Sequence, residues 1–183
     1  MIRRHFGTLR GLARLALSYP QLLLGLSASR RPDPRRVTRL VFVCQGNICR
    51  SAFADVAARR AGLRAASFGL STTTGRAAHP PAIAAAQDLG HDLSDHRAID
   101  LSDYVPEPGD LLLAMEVRQL HRLAADPRLR DLPRQLLGRW TWPMLPHLHD
   151  PYGLDDRYMA QCLRRIGVAV ERLAISFPGA RLS

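Results

Sequence analysis

The feature that most constrains this chain is a run of four apolar residues, Leu40-Val41-Phe42-Val43. It passes without a break into Cys44-Gln45-Gly46-Asn47-Ile48-Cys49-Arg50-Ser51 and then into an alanine-rich segment. An unbroken β-branched and apolar run suits a strand buried on both faces of a parallel sheet. Residues 51–61 carry Phe53, Val56 and Ala57 at helical spacing and suit a helix. Strand, tight loop and helix therefore follow one another across residues 40–63.

The alternation continues down the chain. A second strand is predicted at 65–68, and a helix at 80–89 entered through Pro80-Pro81 and ended by Gly90. Leu111-Leu112-Leu113 marks a strand at 110–115, followed by a helix at 116–125. A fourth strand is predicted at 135–140. A long helix at 155–177 places Tyr158, Cys162, Ile166, Val170 and Leu173 on one face. This order predicts an α/β fold: a three-layer open sandwich with a four-stranded parallel sheet flanked by helices, a phosphate-binding loop after the first strand, and a site at the carboxyl ends of the strands.

At 183 residues with 46% apolar content, the chain is long enough for one domain with a substantial core. All 26 basic residues are arginine, and the formal charge is +10. Residues 1–36 hold eight of those arginines, Arg3 and Arg4 among them, against the single acid Asp33; that net of +7 leaves only +3 for the rest. With aromatic content at 6% and no base-reading motif, nucleic acid is not an expected partner. Leu9, Leu12, Ala13, Ala16 and Leu17 form a stripe flanked by Arg10 and Arg14. That pattern suits an amphipathic helix that either lies on an anionic membrane surface or packs on the domain. Tyr19-Pro20-Gln21 should interrupt it, and Arg30-Arg31-Pro32-Asp33-Pro34 reads as a linker. The expected organisation is a basic N-terminal extension and linker over 1–37, dispensable for turnover, and a catalytic domain over 38–183. Three cysteines are too few for a secreted disulfide framework, so the expected location is cytoplasmic, with peripheral contact at an inner membrane surface through residues 1–30.

The spacing Cys44-x5-Arg50 means little alone, since 3 cysteines and 26 arginines in 183 residues give about 0.4 such pairs by chance. Its setting gives it content. A loop between a buried strand and a helix start turns backbone N–H groups and partial positive charge toward an oxyanion. Gly46 and Asn47 both tolerate the left-handed backbone that such a loop requires. Arg50 offers a planar fork for two phosphoryl oxygens. Cys44, beside it at the helix N-terminus, is expected to have a lowered pKa and to act as nucleophile. Cys49 reads either as a redox partner that shields Cys44 through a reversible disulfide or as a small packing residue; Cys162 reads as core. Asp150, held in Asp150-Pro151-Tyr152, is the candidate proton donor to the leaving oxygen. His147 and His149 stand near Asp150, but no matching cluster elsewhere in the sequence supports a metal site, and no cofactor is expected.

Taken together, Val43-Cys44-Gln45-Gly46-Asn47-Ile48-Cys49-Arg50-Ser51 and the late Asp150-Pro151-Tyr152 resemble the signatures of the low-molecular-weight protein tyrosine phosphatases. The resemblance extends from Thr38 to about Leu173. It implies that Cys44 is the nucleophile, Arg50 the phosphate clamp, and Asp150 the acid for cysteinyl-phosphate formation and the base for its hydrolysis. The phosphate-binding loop would comprise Gln45, Gly46, Asn47, Ile48, Cys49 and Ser51 with them. Asn47, Ser51, Ser67 and His96 would supply supporting hydrogen bonds, Ser51 also toward the Cys44 sulfur. Ile48, Leu70 and Tyr152 are candidates for the wall that grips the substrate ring.

The implied activity is hydrolysis of phosphate monoesters, foremost protein phosphotyrosine. Ile99 stands where similar proteins often carry a second arginine, and Gly153 where another Tyr often follows Tyr152. A phosphoarginine phosphatase is similar but favours Thr at the position of Ile48. An arsenate reductase of this fold needs a pair of further cysteines, and a non-catalytic adaptor would be expected to have lost Cys44, Arg50 or Asp150. The implied partners are a phosphotyrosine-containing protein and, from similar bacterial enzymes, a tyrosine kinase of polysaccharide export.

Overall fold

The computed structural model describes residues 6–182; Arg3 and Arg4 lie outside them. Four strands, β1 (Arg39–Cys44), β2 (Ala65–Gly69), β3 (Asp110–Ala114) and β4 (Arg134–Leu136), form one parallel sheet in the order β2-β1-β3-β4. β1 is central, with Phe42 registered against Ser67 on one side and Leu113 on the other. A strand hydrogen-bonded on both edges and covered on both faces meets no water, which is why its sequence is apolar without alternation.

Side-chain parity divides the core in two. Leu40, Phe42, Cys44, Leu111 and Leu113 face one layer, made by α2 (Arg50–Arg60), α3 (Pro80–Gln87) and α5 (Asp156–Ser176). Val41, Val43, Phe68, Leu112 and Ala114 face α4 (Val117–Ala125), where they meet Val117, Leu120 and Leu123. Each fully buried Leu, Phe or Ile contributes about 1.5–3 kcal/mol relative to exposure. The three-layer α/β reading of the sequence is the observed architecture.

Two elements depart from expectation. The fourth strand is only Arg134–Leu136, after which Leu137–Trp140 winds into a 3-10 turn. Gly138 lies directly against the Leu145 backbone, where a Cβ would sit 1.8 Å from the carbonyl oxygen, so the chain turns there rather than extending. The N-terminal helix α1 (Leu9–Leu23) is also longer than expected and runs through Pro20, which was expected to interrupt it. Pro20 offers no N–H to the Ala16 carbonyl, but its own carbonyl accepts from the Leu24 amide at 2.9 Å, so the helix continues past it.

Nor does the segment after α1 hang free as a linker. Arg30 and Arg134 exchange backbone hydrogen bonds of 2.9 and 3.0 Å, covering the outer edge of β4. Leu15 is buried with Leu145 and Leu148, and the Tyr19 hydroxyl donates to the Met144 carbonyl at 2.7 Å. α1 is therefore packed on the body, and its removal would uncover core. Its outer face still presents exposed Leu9, Leu17, Leu23 and Leu24. No helix among the described residues is long and apolar enough to cross a membrane.

Candidate active site

The loop from Cys44 to Arg50 starts at the carboxyl end of the central strand and ends on the first turn of α2, whose N-terminal partial charge favours an anion in front of it. Of the two residues expected to be left-handed, only Asn47 is, with φ of 50°. Gly46 keeps a negative φ, and a Cβ there would make only ordinary contact with the Ile48 side chain, at 3.5 Å. The tight approach comes instead from Gly69 at the end of β2, where a Cβ would lie 3.0 Å from the Gly46 carbonyl carbon and 3.1 Å from the Asn47 nitrogen.

Asn47 is the hub of the loop. Its side-chain amide donates to Ser51 Oγ at 2.8 Å and to Ser67 Oγ at 2.9 Å, and its Oδ1 accepts the Ile99 amide at 2.9 Å. Nε2–H of His96 donates to the Asn47 carbonyl at 2.8 Å. Burial lowers the His96 pKa, partly opposed by that hydrogen bond, and keeps the ring neutral at pH 7. The Ser67 hydroxyl donates to Asp55 Oδ2 at 2.9 Å, and Asp55 is held by Arg59 at 2.7 Å. With its lone pair engaged by Asn47, Ser51 is left to donate to Cys44 Sγ, 3.0 Å away, while the Asn47 backbone N–H donates to the same sulfur at 3.2 Å. Two donors thus converge on one sulfur. Ser51, Ser67 and His96 are thus brought together on Asn47, with Ser51 and the Asn47 amide reaching Cys44; Asp55 and Arg59, which complete the chain, were not legible in the sequence.

Arg50 is 1% exposed. Its Nη1 donates to Glu116 Oε1 at 2.9 Å and to the Leu148 carbonyl at 2.8 Å, and its Nη2 pairs with Asp150 Oδ2 at 2.7 Å. Its Nε, also buried, has no hydrogen-bond partner among the described residues. Burial opposes the Arg50 charge, but Asp150, Cys44 and Glu116 outweigh it and the net shift is upward. Glu116 shows the same contest with the opposite sign. Burial would raise its pKa, yet Arg50 and Arg118 prevail and hold it at about 2. Sequence reasoning saw Glu116 only as the start of a helix. The available signal was a charged residue directly after the apolar run Leu111–Met115, at the carboxyl edge where α/β sites form.

Asp150 and Cys44 both line a cavity of about 200 Å³. Gln45, Gly46, Ile48, Ser71, Arg76 and Tyr152 line it with them. The Tyr152 ring leans on His79, with centroids 4.8 Å apart. Leu70, expected in the substrate wall, is instead 3% exposed and buried with Phe68 and Tyr104. Leu70 shares the parity of Phe68 and so faces the α4 layer, which leaves Ser71 to turn into the cavity. Arg76 was missed because nothing local marks it.

The three thiols are unbonded. Cys49 precedes α2 and is 3% exposed; burial and its neighbours Cys44 and Asp150 push its pKa well above the ordinary value. Cys162 is core, and burial pushes it up to about 12. His147 and His149 stack with centroids 5.7 Å apart, and among the described residues no group of three His, Cys, Asp or Glu side chains is arranged to hold a metal ion. Chemically, the cavity offers a sulfur nucleophile, a fixed guanidinium with an uncommitted Nε, and a carboxyl group facing both.

Comparison with known proteins agrees with this geometry. Residues 39–182 match the family model described as low molecular weight phosphotyrosine protein phosphatase. Wzb of Escherichia coli K12, a low molecular weight protein-tyrosine-phosphatase, is 36% identical over 62% of this chain and 77% of its own length. EpsP of Ralstonia solanacearum, a probable member of the same class, is 34% identical over 49% of this chain and 63% of its own length, so under two thirds of that relative is spanned. The Erwinia amylovora tyrosine phosphatase amsI superimposes with a TM-score of 0.66 at 26% identity, covering 77% of this chain and 93% of amsI. The arginine phosphatase YwlE does so with the same score and identity, over 75% and 93%.

Proposed function

The chain belongs to the low molecular weight phosphotyrosine protein phosphatase family, and on that premise we propose that it hydrolyses phosphate monoesters, protein phosphotyrosine foremost, through a cysteinyl-phosphate on Cys44. The observation that carries the reading is the convergence of Cys44 Sγ, Arg50 and Asp150 on one cavity. Cys44 attacks phosphorus as a thiolate, held in that form by the Ser51 hydroxyl and the Asn47 amide. As the S–P bond forms, the P–O bond to the substrate oxygen breaks, and Asp150 gives that oxygen its proton. Asp150, now a carboxylate, takes a proton from water; the water oxygen attacks phosphorus, and inorganic phosphate and the thiolate are released. Arg50, fixed by Glu116 and Leu148, donates Nε and Nη2 to phosphoryl oxygens, Nη2 exchanging Asp150 for the phosphoryl group.

Ile48 and Tyr152 both line the cavity and suit a flat aromatic ring, which favours phosphotyrosine over phosphoarginine. A phosphoprotein is the substrate class, and a bacterial tyrosine kinase of polysaccharide export is the partner we favour within it. The leucines on the outer face of α1, beside exposed Arg10, support peripheral contact of a cytoplasmic enzyme with an anionic membrane.

The test is turnover of phenyl phosphate, nitrophenyl phosphate, a phosphotyrosine peptide and phosphoarginine by the wild type, Cys44→Ser and Asp150→Asn. Cys44→Ser should be inactive. Asp150→Asn should lose about 10²–10⁴-fold on phenyl phosphate and far less on the activated ester. Equal losses on the two esters would refute the acid role, and turnover by Cys44→Ser would refute the covalent one. Preference for phosphoarginine would overturn the substrate assignment.

A further inference from the structure

The buried ion pairs at the site do not end at Arg50. From Asp150 the charges alternate inward, Asp150 to Arg50 at 2.7 Å and Arg50 to Glu116 at 2.9 Å. On the far side of Glu116 the positive charge is doubled. Arg118 Nε reaches Glu116 Oε2 at 2.8 Å, and Arg14 of α1 stands 4.0 Å from the same oxygen. Two guanidinium groups share one carboxylate that Arg50 already engages. Among the described residues Arg14 has no other acidic side chain within ion-pair distance.

These groups open into a second cavity, of about 300 Å³, between α1 and the start of α4. Arg14, Arg118, His121 and His147 line it with Ser18 and Gln21; Leu17 and Val117 add an apolar wall, and Glu116 is the one acid. His147 is 7% exposed, and its Nε2 is buried without a hydrogen-bond partner. Burial lowers the His147 pKa to about 4, with Glu116 opposing, so the ring is neutral at pH 7; its Nδ1 stands 4.0 Å from Glu116 Oε2.

We propose that this cavity is a second binding site, for a phosphate-bearing anion, formed jointly by α1 and the catalytic body and distinct from the loop at Cys44. An oxyanion there completes the charge alternation, taking hydrogen bonds from Arg14 and from the Arg118 guanidinium. Its volume, with Leu17 and Val117 to one side, admits a small organic phosphate as well as the bare ion. Arg14 lies in a segment outside the 39–182 stretch that matches the family, so the site belongs to this chain's own N-terminal helix.

The experiment uses the full chain with Cys44 blocked by iodoacetamide, confirmed as a single adduct by intact mass, so that the catalytic loop is filled. Calorimetric titration with inorganic phosphate should show one site. Arg14→Gln with Arg118→Gln should weaken it at least 10-fold. Gln21→Glu, which places a negative charge on the wall without touching Glu116, should do the same and guards against misfolding of the double variant. Absence of phosphate binding by the blocked chain, or equal binding by Gln21→Glu, would overturn the proposal. Displacement of the phosphate by glycerol 3-phosphate but not by phosphatidylglycerol vesicles marks a soluble ligand; displacement by the vesicles marks a lipid headgroup. Neither displacing it, with phosphate bound only at crystallisation-like concentrations, would reduce the site to an adventitious ion and overturn it as well.

Discussion

Glu116→Gln isolates the buried ion pair on which the placement of Arg50 depends. Glu116 is 1% exposed and accepts from Arg50 Nη1 at 2.9 Å and from Arg118 Nε at 2.8 Å and Nη2 at 3.2 Å. Glutamine keeps the shape but loses the charge and turns an amide donor toward guanidinium groups. Two routes give the cost. Removing one partner of a buried pair costs about 3–5 kcal/mol. Independently, the Glu116 pKa falls from 4.5 to about 2 in the fold, which at about 1.4 kcal/mol per unit corresponds to about 3 kcal/mol. The sign follows from the direction: a depressed carboxyl pKa stabilises the fold fully above 4.5, and the stabilisation is lost as pH falls toward 2. Urea unfolding of wild type and variant, followed by tryptophan fluorescence, should therefore show a gap of about 3 kcal/mol at pH 7 that narrows to about 1 kcal/mol at pH 3. A gap of the same size at both pH values would mean that packing, not charge, is lost, and would refute the reasoning. At pH 7 the variant's kcat should fall as well, since Arg50 Nη1 then rests on the Leu148 carbonyl and a weaker amide acceptor.

Asn47→Ala removes three side-chain hydrogen bonds and leaves Ser51, Ser67 and the Ile99 amide short of partners, for a loss of about 3 kcal/mol. Asn47→Gly should be about 1 kcal/mol more stable than Asn47→Ala, because φ is 50° there; thermal unfolding that ranks Ala above Gly would contradict the loop geometry. On the outer face of α1, Leu23→Glu with Leu24→Glu should abolish co-sedimentation with phosphatidylglycerol vesicles while leaving aryl phosphate turnover in solution unchanged, since both side chains are more than 70% exposed. Co-sedimentation that survives the change would rule out this face as the membrane contact.

What the sequence made legible was local. The strand–loop–helix unit around Cys44 could be read because burial on both faces, the glycine of the loop and the alanine-rich helix all act within about 20 residues. Ser67 and His96 came from the family resemblance, and Asp150 from a turn next to a helix start. The hidden parts depend on contacts across the chain. Leu70 looked like a wall residue because it follows β2, but strand parity assigns it to the α4 layer with Phe68. Glu116 and Asp55 acquire their roles only when folding brings them to Arg50 and Ser67, 66 and 12 residues away. The expected strand over 135–140 overlooked Gly138, whose close approach to Leu145 cannot be seen in a propensity pattern.

The contacts of the N-terminal extension explain why a basic amphipathic stretch forms a packed helix. The first turn of α1 reaches the acid loop directly. Thr8 Oγ1 lies 3.1 Å from His149 Nε2 while also accepting the Gly11 amide, and Gly11 lets the helix lie so close that a Cβ would come within 2.8 Å of the His149 ring. His149 is the residue before Asp150, and its carbonyl accepts from the Tyr158 hydroxyl at 3.2 Å. One turn further, Arg14 faces Glu116, which holds Arg50. The same helix thus meets both supports of the catalytic pair, the loop that carries the acid and the carboxylate that fixes the guanidinium. A helix bound only to lipid would gain nothing from a glycine at Gly11 or from an arginine turned inward at Arg14. Those two residues belong to a helix whose inner face is built against the active site and whose outer leucines are left for another surface.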